Sequence, residues 1–402
     1  MLANRFTGRA RTIIVAVGVL QIYFACIAAN VMDPALHDLQ QLFPGISHEQ
    51  IASLITIPNL AAIPASILSG ALTGRRLRYR TVLTMSFLLI VVGGSAPLFL
   101  MSFQTVVCAR MVLGFGLGLL WPLGNALIID LFPGERRAYM FGVGEVVKNV
   151  SLIILQMIVG LLVGVSAKIS WSAYLVLLLS LAALLLCLPE PEIRPVAAQT
   201  PLAAAIRQLP RRLYVFILFY CVCMIVQTIY QLNMSSIIVT EGLGDATTAA
   251  TVLSTATLTA MFAALSFGLI QKVLGDYTIT FCAGALGLGT FCISQAATLP
   301  PMYASAVIVG IGLGTMSSSF YVKIAECANN ENAALVSGFQ VVLGGLGGYL
   351  PSYFLVLVAA VFNSQSLRLP IALGTLLLGS VAVGFALFYA VAHRRAAAAG
   401  GV

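Results

Sequence analysis

Three ionised side chains stand in stretches of this sequence that are otherwise apolar: Arg110, Glu145 and Lys148. Arg110 opens the run Arg110-Met111-Val112-Leu113-Gly114-Phe115-Gly116-Leu117-Gly118, which reaches Asp130 with only Trp121, Pro122 and Asn125 interrupting it. About 19 residues separate the two charges, enough for a helix to cross a hydrocarbon core of ~30 Å. A guanidinium at the centre of such a helix costs roughly 2.5–3.5 kcal/mol on insertion scales, so it is expected to face protein or water. Arg110 or Lys148 would hold an anionic solute. Glu145, one helical turn from Lys148, would change its protonation during a cycle. A purely structural reading stands beside this one, in which the pair neutralises itself and steadies its helix. Asp33, directly before Pro34, is a second candidate for ion or proton coupling, or a residue that ends a helix at the interface.

The remaining candidates for solute contact are neutral: Asn30, Trp121, Asn125, Gln227, Tyr230 and Gln231. Such groups more often bond helix to helix, but together they suit a hydrogen-bonding solute. The three histidines, His37, His48 and His393, lie outside the apolar runs. No G-x-x-x-x-G-K-[ST] phosphate cradle is present. An enzyme and an ATP-driven pump are therefore disfavoured, and no cofactor or metal is expected. None of the eight cysteines forms a Cys-x-x-Cys pair, so they are read as packing residues.

These candidates must be positioned by membrane helices. The chain is 60% hydrophobic and 8% charged, against the usual quarter of charged residues in soluble domains. Apolar runs of spanning length fall near 12–32, 51–71, 82–102, 106–129, 139–164 and 171–188, and again near 213–238, 249–270, 278–296, 302–321, 333–361 and 370–391. Between the two sets lies Pro189 to Arg212, rich in proline and arginine. The expected organisation is an amino-terminal bundle over 1–188, a linker over 189–212 and a carboxy-terminal bundle over 213–402. With both termini in the cytoplasm, the outer loops hold only Lys168 and Arg368. Arg110 and Lys148 lie within spans, which leaves seventeen of the 21 basic residues on the inner side. The net charge of +8 is thus a topology signal, and nucleic acid is dropped as a partner.

Two landmarks repeat. Gly70 to Arg80 has a counterpart from Gly268 to Tyr277, and Gly114-Phe115-Gly116-Leu117-Gly118 returns as Gly310-Ile311-Gly312-Leu313-Gly314. Their offsets are nearly equal (268 − 70 = 198; 310 − 114 = 196), so the second half reads as a parallel copy of the first. Ala306 stands where the first copy has Arg110, and that asymmetry is the strongest functional clue. Twelve spans in two similar halves, with a basic linker, resemble the major facilitator superfamily of secondary transporters. That family's loop pattern, G-x-x-x-D-R-x-G-R-R, is matched by Gly70, Arg75, Arg76 and Arg78, while Gly74 and Leu77 replace the aspartate and the second glycine. Its arginine followed by closely spaced glycines matches Arg110, Gly114, Gly116 and Gly118.

The resemblance implies an all-α fold of two pseudo-symmetric six-helix bundles and a mid-membrane cavity opened alternately to each side. It also implies a conformational gating loop carrying Gly70, Arg75, Arg76 and Arg78, with Gly268 and Lys272 as counterparts. Pro58, Pro64, Pro97 and Pro122 are hinge candidates, or ordinary packing irregularities. The expected function is secondary transport of a small polar or anionic solute, with H+ as a candidate coupling ion. The expected setting is a bacterial inner membrane, with a monomer as the working unit. The alternative is proton-coupled efflux of amphiphiles, for which Phe216, Phe219, Tyr220, Tyr230, Phe262 and Phe267 would supply an aromatic wall. Drug–proton antiporters of the family often carry a glycine-proline pair in the fifth span, and residues 139–164 contain no proline.

Overall fold

Apolar stretches this long have one way to satisfy their backbone in lipid without a closed barrel, and that is to coil. A computed structural model describes residues 8–73, 77–99, 102–132, 135–190, 211–327, 333–364 and 366–399. Its α-helices are α1 (Gly8–Ala25), α2 (Leu36–Leu42), α3 (His48–Leu72), α4 (Tyr79–Ser95), α5 (Phe103–Leu131), α6 (Glu135–Val163) and α7 (Val176–Cys187). They continue with α8 (Arg211–Thr240), α9 (Ala246–Leu265), α10 (Phe267–Leu274), α11 (Thr278–Gln295), α12 (Leu299–Cys327), α13 (Ala333–Phe362) and α14 (Leu369–Ala399). Among the described residues, eleven helical stretches are long and apolar enough to cross a membrane. There are twelve if the bent pair Ala10–Ala25 and Ala28–Leu42 is one span. Serine caps start two of them. Ser47 and Gln50 form a reciprocal capping box before α3, and Ser102 Oγ accepts from the Thr105 amide before α5.

The chain divides into two compact units. One takes residues 1–202 with Gly244–Thr251, and the other takes Ala203–Leu243 with Val252–Val402. The segment Gly244–Thr251, which sequence alone assigns to the carboxy-terminal bundle, packs with the first unit. Thr247 Oγ1 donates to Gly160 O at 3.1 Å.

Within each unit the same seam of glycines lets two helices touch backbone to backbone. In the first, a methyl on Gly114 of α5 would lie 2.2 Å from Pro58 O of α3, and one on Gly118 would lie 2.2 Å from Ala62 O. In the second, Gly310 and Gly314 of α12 would place methyls 2.4 Å and 2.1 Å from Ala256 O and Ala260 O of α9. Gly93 lies on Ala109 and Leu113, and Gly289 on Val309, again 196 positions apart (289 − 93). The repeat inferred from spacing is therefore a repeat of contacts.

Three expectations are corrected. The first span does not end near residue 32. It bends by 43° at Cys26–Ile27 and resumes from Ala28 to Leu42, and within that second piece Pro34 leaves Asn30 O without its helical donor. Asp33 is consequently within the second piece of the bent pair, not at the end of a helix, and it is fully buried. Gly70 and Gly268 are also not loop residues. Gly70 is within α3, and Gly268 and Lys272 lie on the short α10, which follows a break at Ser266 and ends at Gly275 with φ of +53°. Arg75 and Arg76 lie outside the described residues, and Arg78 is exposed just before α4.

The glycine seams give a test. Gly118→Val or Gly314→Val forces backbones apart at a cost of about 1–3 kcal/mol or more and should abolish the monodisperse peak in size-exclusion chromatography. Gly70→Ala and Gly268→Ala place a methyl in open space and should leave that peak unchanged.

Candidate solute-binding site

Breaking a helix in lipid frees carbonyls that must find donors. At the bend of the first span four of them do. Cys26 O accepts from Trp121 Nε1 at 3.0 Å, Ala28 O from Tyr174 Oη at 3.0 Å, Ala29 O from Arg110 Nη2 at 2.7 Å and Asn30 O from Gln156 Nε2 at 3.1 Å. Arg110 also donates from Nε to Leu54 O at 2.6 Å and from Nη1 to Tyr174 Oη at 2.7 Å. The Trp171 and Tyr174 rings each lie 5.9 Å from its guanidinium carbon, close enough for cation–π attraction. Arg110 is fully buried. Its expected place as a solute ligand is therefore corrected: its donors close the bend and tie it to α3. Where Ala306 replaces it, the matching helix α8 runs unbroken from Arg211 to Thr240.

One layer away, the other charged candidates come together. Lys148 Nζ pairs with Glu145 Oε2 on α6. The pair is not sealed in: the Lys148 side chain is 31% exposed and that of Glu145 47%. Lys148 lies only about 5 Å from the midpoint of the apolar stretch Tyr139–Val163 at 1.5 Å rise per residue. An ion pair this open at this depth must face water or a polar ligand. Beside it, Tyr23 Oη of α1 donates to Asn125 Oδ1 of α5 at 2.8 Å. The Tyr23 ring lies on Gly144, where a methyl would come within 2.8 Å of Cε1. Trp121 is half-buried and Asn125 exposed, so α5 and α6 present amide, indole, carboxylate and ammonium groups beside the buried Tyr23 of α1.

In the second unit Gln227 and Gln231 of α8 are partly exposed, but Tyr230 is buried with its hydroxyl unpartnered. Tyr230 is therefore corrected from solute contact to the interior of that unit. Of the proposed aromatic wall, Phe216 and Phe219 pack against Phe385 and Tyr220 stacks on Phe320 at 3.9 Å, Tyr230 and Phe267 are buried, and Phe262 is exposed. At the end of the first unit where α4 starts, Arg80 Nη2 donates to Leu185 O at 2.6 Å and the Arg80 amide to Glu190 Oε2 at 3.3 Å.

Sequence reasoning passed over Gly144 and Gln156. Gln156 was visible as the one amide in the apolar stretch Leu152–Val163, whereas nothing in the sequence marks Gly144 as the floor under a tyrosine.

Arg110→Ala strands Leu54 O and Ala29 O and removes the donor to the Tyr174 hydroxyl. Each unmatched buried group costs about 1–3 kcal/mol, so the variant should lose most of its folded yield. Arg110→Lys, a point charge without the planar fork, should recover only part of it. Thermal unfolding in detergent reads both. A fully stable Arg110→Ala protein that fails only in binding would return the residue to the solute site.

A search of curated proteins returned no match. Among solved structures, a variant of the nucleoside transporter NupG superposes with a TM-score of 0.76 at 13% identity, covering 92% of this chain and 99% of its own. A POT family transporter in complex with 5-aminolevulinic acid gives 0.73 at 13% identity, covering 97% and 99%. A mutant of the peptide transporter POT gives 0.77 at 14% identity, covering 96% and 97%. At such identities these likenesses speak for the fold. The family model of the Major Facilitator Superfamily matches residues 13–352, and with it the duplicated glycine seams acquire a lineage: this chain belongs to the major facilitator superfamily, a multi-pass membrane transporter and not an enzyme.

Proposed function

We propose that the protein moves a small polar or anionic organic solute by alternating access, driven by an ion or solute gradient. The observation that carries this reading is the half-open Glu145–Lys148 pair near mid-span, ringed by Tyr23, Asn125 and Trp121. An anionic group on the solute displaces Glu145 from Lys148, so the ammonium exchanges one carboxylate for another and no buried charge is left alone. Glu145, once released, is free to take up a proton or to face water. Asn125 then selects for hydrogen-bonding solutes, with the Trp121 indole held to Cys26 O beside it, and Gln227 and Gln231 are the second unit's own candidates for such contacts. Charge asymmetry among the loops supports cytoplasmic termini in a bacterial inner membrane, and a monomer suffices as the working unit. Neighbours by fold are transporters of nucleosides and peptides, which are polar solutes. Engagement of Phe216, Phe219 and Tyr220 in packing weighs against the amphiphile-efflux alternative.

Uptake and binding screens in proteoliposomes, with organic anions, nucleosides and short peptides, test the proposal. Lys148→Ala should weaken binding of the transported solute about 10- to 100-fold, the equivalent of one charge-assisted bond of roughly 1.5–3 kcal/mol. Membrane insertion should be unaffected. Glu145→Gln should retain or tighten binding, because the internal competitor for Lys148 is gone. Full transport by Lys148→Ala, or export of lipophilic cations by the wild type, would defeat the proposal.

A further inference from the structure

Where α4 begins beside the end of α7, the first unit has a cavity of about 440 Å³ that takes no part in the solute site. Its polar end holds Arg78, Arg80, Thr81 and Glu190, and Met85 and Leu185 form its apolar wall. Arg80 is engaged in part by the fold, through Nη2 to Leu185 O at 2.6 Å. Arg78 and Thr81 are exposed, and among the described residues no carboxylate pairs with either guanidinium. Glu190 turns Oε2 to the Arg80 amide at 3.3 Å, which leaves its Oε1 buried and without a partner.

Two cations against one anion give the cavity a surplus of positive charge. A carboxylate oxygen accepts and cannot donate, so Glu190 Oε1 calls for an O–H or N–H that the described residues do not supply. An occupant that answers both needs brings an anion and a hydrogen-bond donor together. The surroundings say where it comes from. Met85 is exposed, and Leu88 and Val92, one and two turns further along the same face of α4, are exposed as well. Leu179 and Leu186 of α7, two turns apart on one face, are also exposed. A water-soluble anion gains nothing from such apolar stripes, whereas a lipid lays its chains on them. Basic pockets between spans on the cytoplasmic side suit acidic headgroups.

We propose that this cavity seats one monoanionic phospholipid whose headgroup carries hydroxyls, phosphatidylglycerol by its chemistry. The phosphodiester meets Arg78, the remaining nitrogens of Arg80 and the Thr81 hydroxyl. A headgroup hydroxyl donates to Glu190 Oε1. One acyl chain follows Met85, Leu88 and Val92, and the other follows Leu186 and Leu179. The single negative charge cancels the surplus of the cavity, which a zwitterionic ethanolamine lipid would not do. Arg80, Leu185 and Glu190 belong to α4, α7 and the start of the linker, so the bound lipid staples these three together. That this end faces the cytoplasm rests on the loop-charge reading above; the cavity does not.

Native mass spectrometry of the full-length protein, released from micelles holding equal phosphatidylglycerol and phosphatidylethanolamine, tests the site without any solute. Wild type should retain one phosphatidylglycerol. Arg78→Gln, at an exposed position just before α4, should fold as wild type does. It should hold that lipid about 5-fold more weakly, the contribution of one basic residue at an acidic headgroup. Arg11→Gln, at another exposed arginine, should change nothing. Glu190→Gln removes repulsion of the phosphate and keeps an acceptor oxygen, so it should bind the lipid at least as well. A photoactivatable phosphatidylglycerol should label peptides of α4 and α7 in wild type, a readout that needs no variant to fold. Equal retention of phosphatidylethanolamine, equal losses in Arg78→Gln and Arg11→Gln, labelling confined to other helices, or displacement by inorganic phosphate would each overturn the proposal. Failure to find any solute that wild type moves would count against the transporter reading and leave the lipid result intact.

Discussion

The first span breaks between Ala25 and Ala28, and the structure of the first unit depends on how the freed backbone is answered. Each unanswered polar group in hydrocarbon costs several kcal/mol. Side chains from three directions supply the donors: Trp121 and Arg110 from α5, Gln156 from α6, and Tyr174 from the turn before α7. The Arg110 guanidinium is met there by the carbonyls of Ala29 and Leu54 and by the Tyr174 hydroxyl. The rings of Trp171 and Tyr174 lie beside it. A buried cation that looks like a ligand for solute is thereby accounted for as a ligand for backbone.

Comparing the two copies separates what the fold requires from what one half has added. Both keep the glycine seam, with α5 lying on α3 and α12 on α9 at the same register, because the helices could not approach otherwise. Only the first copy has the bend, and only the first copy has the arginine. Ala306, fully buried, meets no broken helix, since α8 continues through the matching position. Bend and arginine are two parts of one device, and neither is of use without the other.

Much of this was legible in the chain. Hydropathy located the spans, and the doubled Gly-x-Gly-x-Gly stretches revealed the duplication. Glu145 and Lys148, three residues apart, were readable as a pair because helical geometry alone brings them together. What escaped was set by contacts distant in sequence. Pro34 announced a disturbance, but not that the chain would resume helical structure and run to Leu42. Arg110 announced a need for partners, but the partners lie 56 to 81 positions away at Leu54, Tyr174 and Ala29. Period and composition carry no record of such pairings. Tyr230 failed for the same reason: a tyrosine on a polar stripe of α8 is indistinguishable in sequence from one turned into the unit's interior.

A break whose carbonyls are left open is soft, because they trade partners freely. This one is fastened at four successive points to three separate elements, and Tyr23, one turn before it, rests on the residue adjoining Glu145. Strain entering at the Glu145–Lys148 pair therefore finds no elbow in which to dissipate. It is passed through Tyr23 to the whole of the first unit, which must answer as a stiff lever.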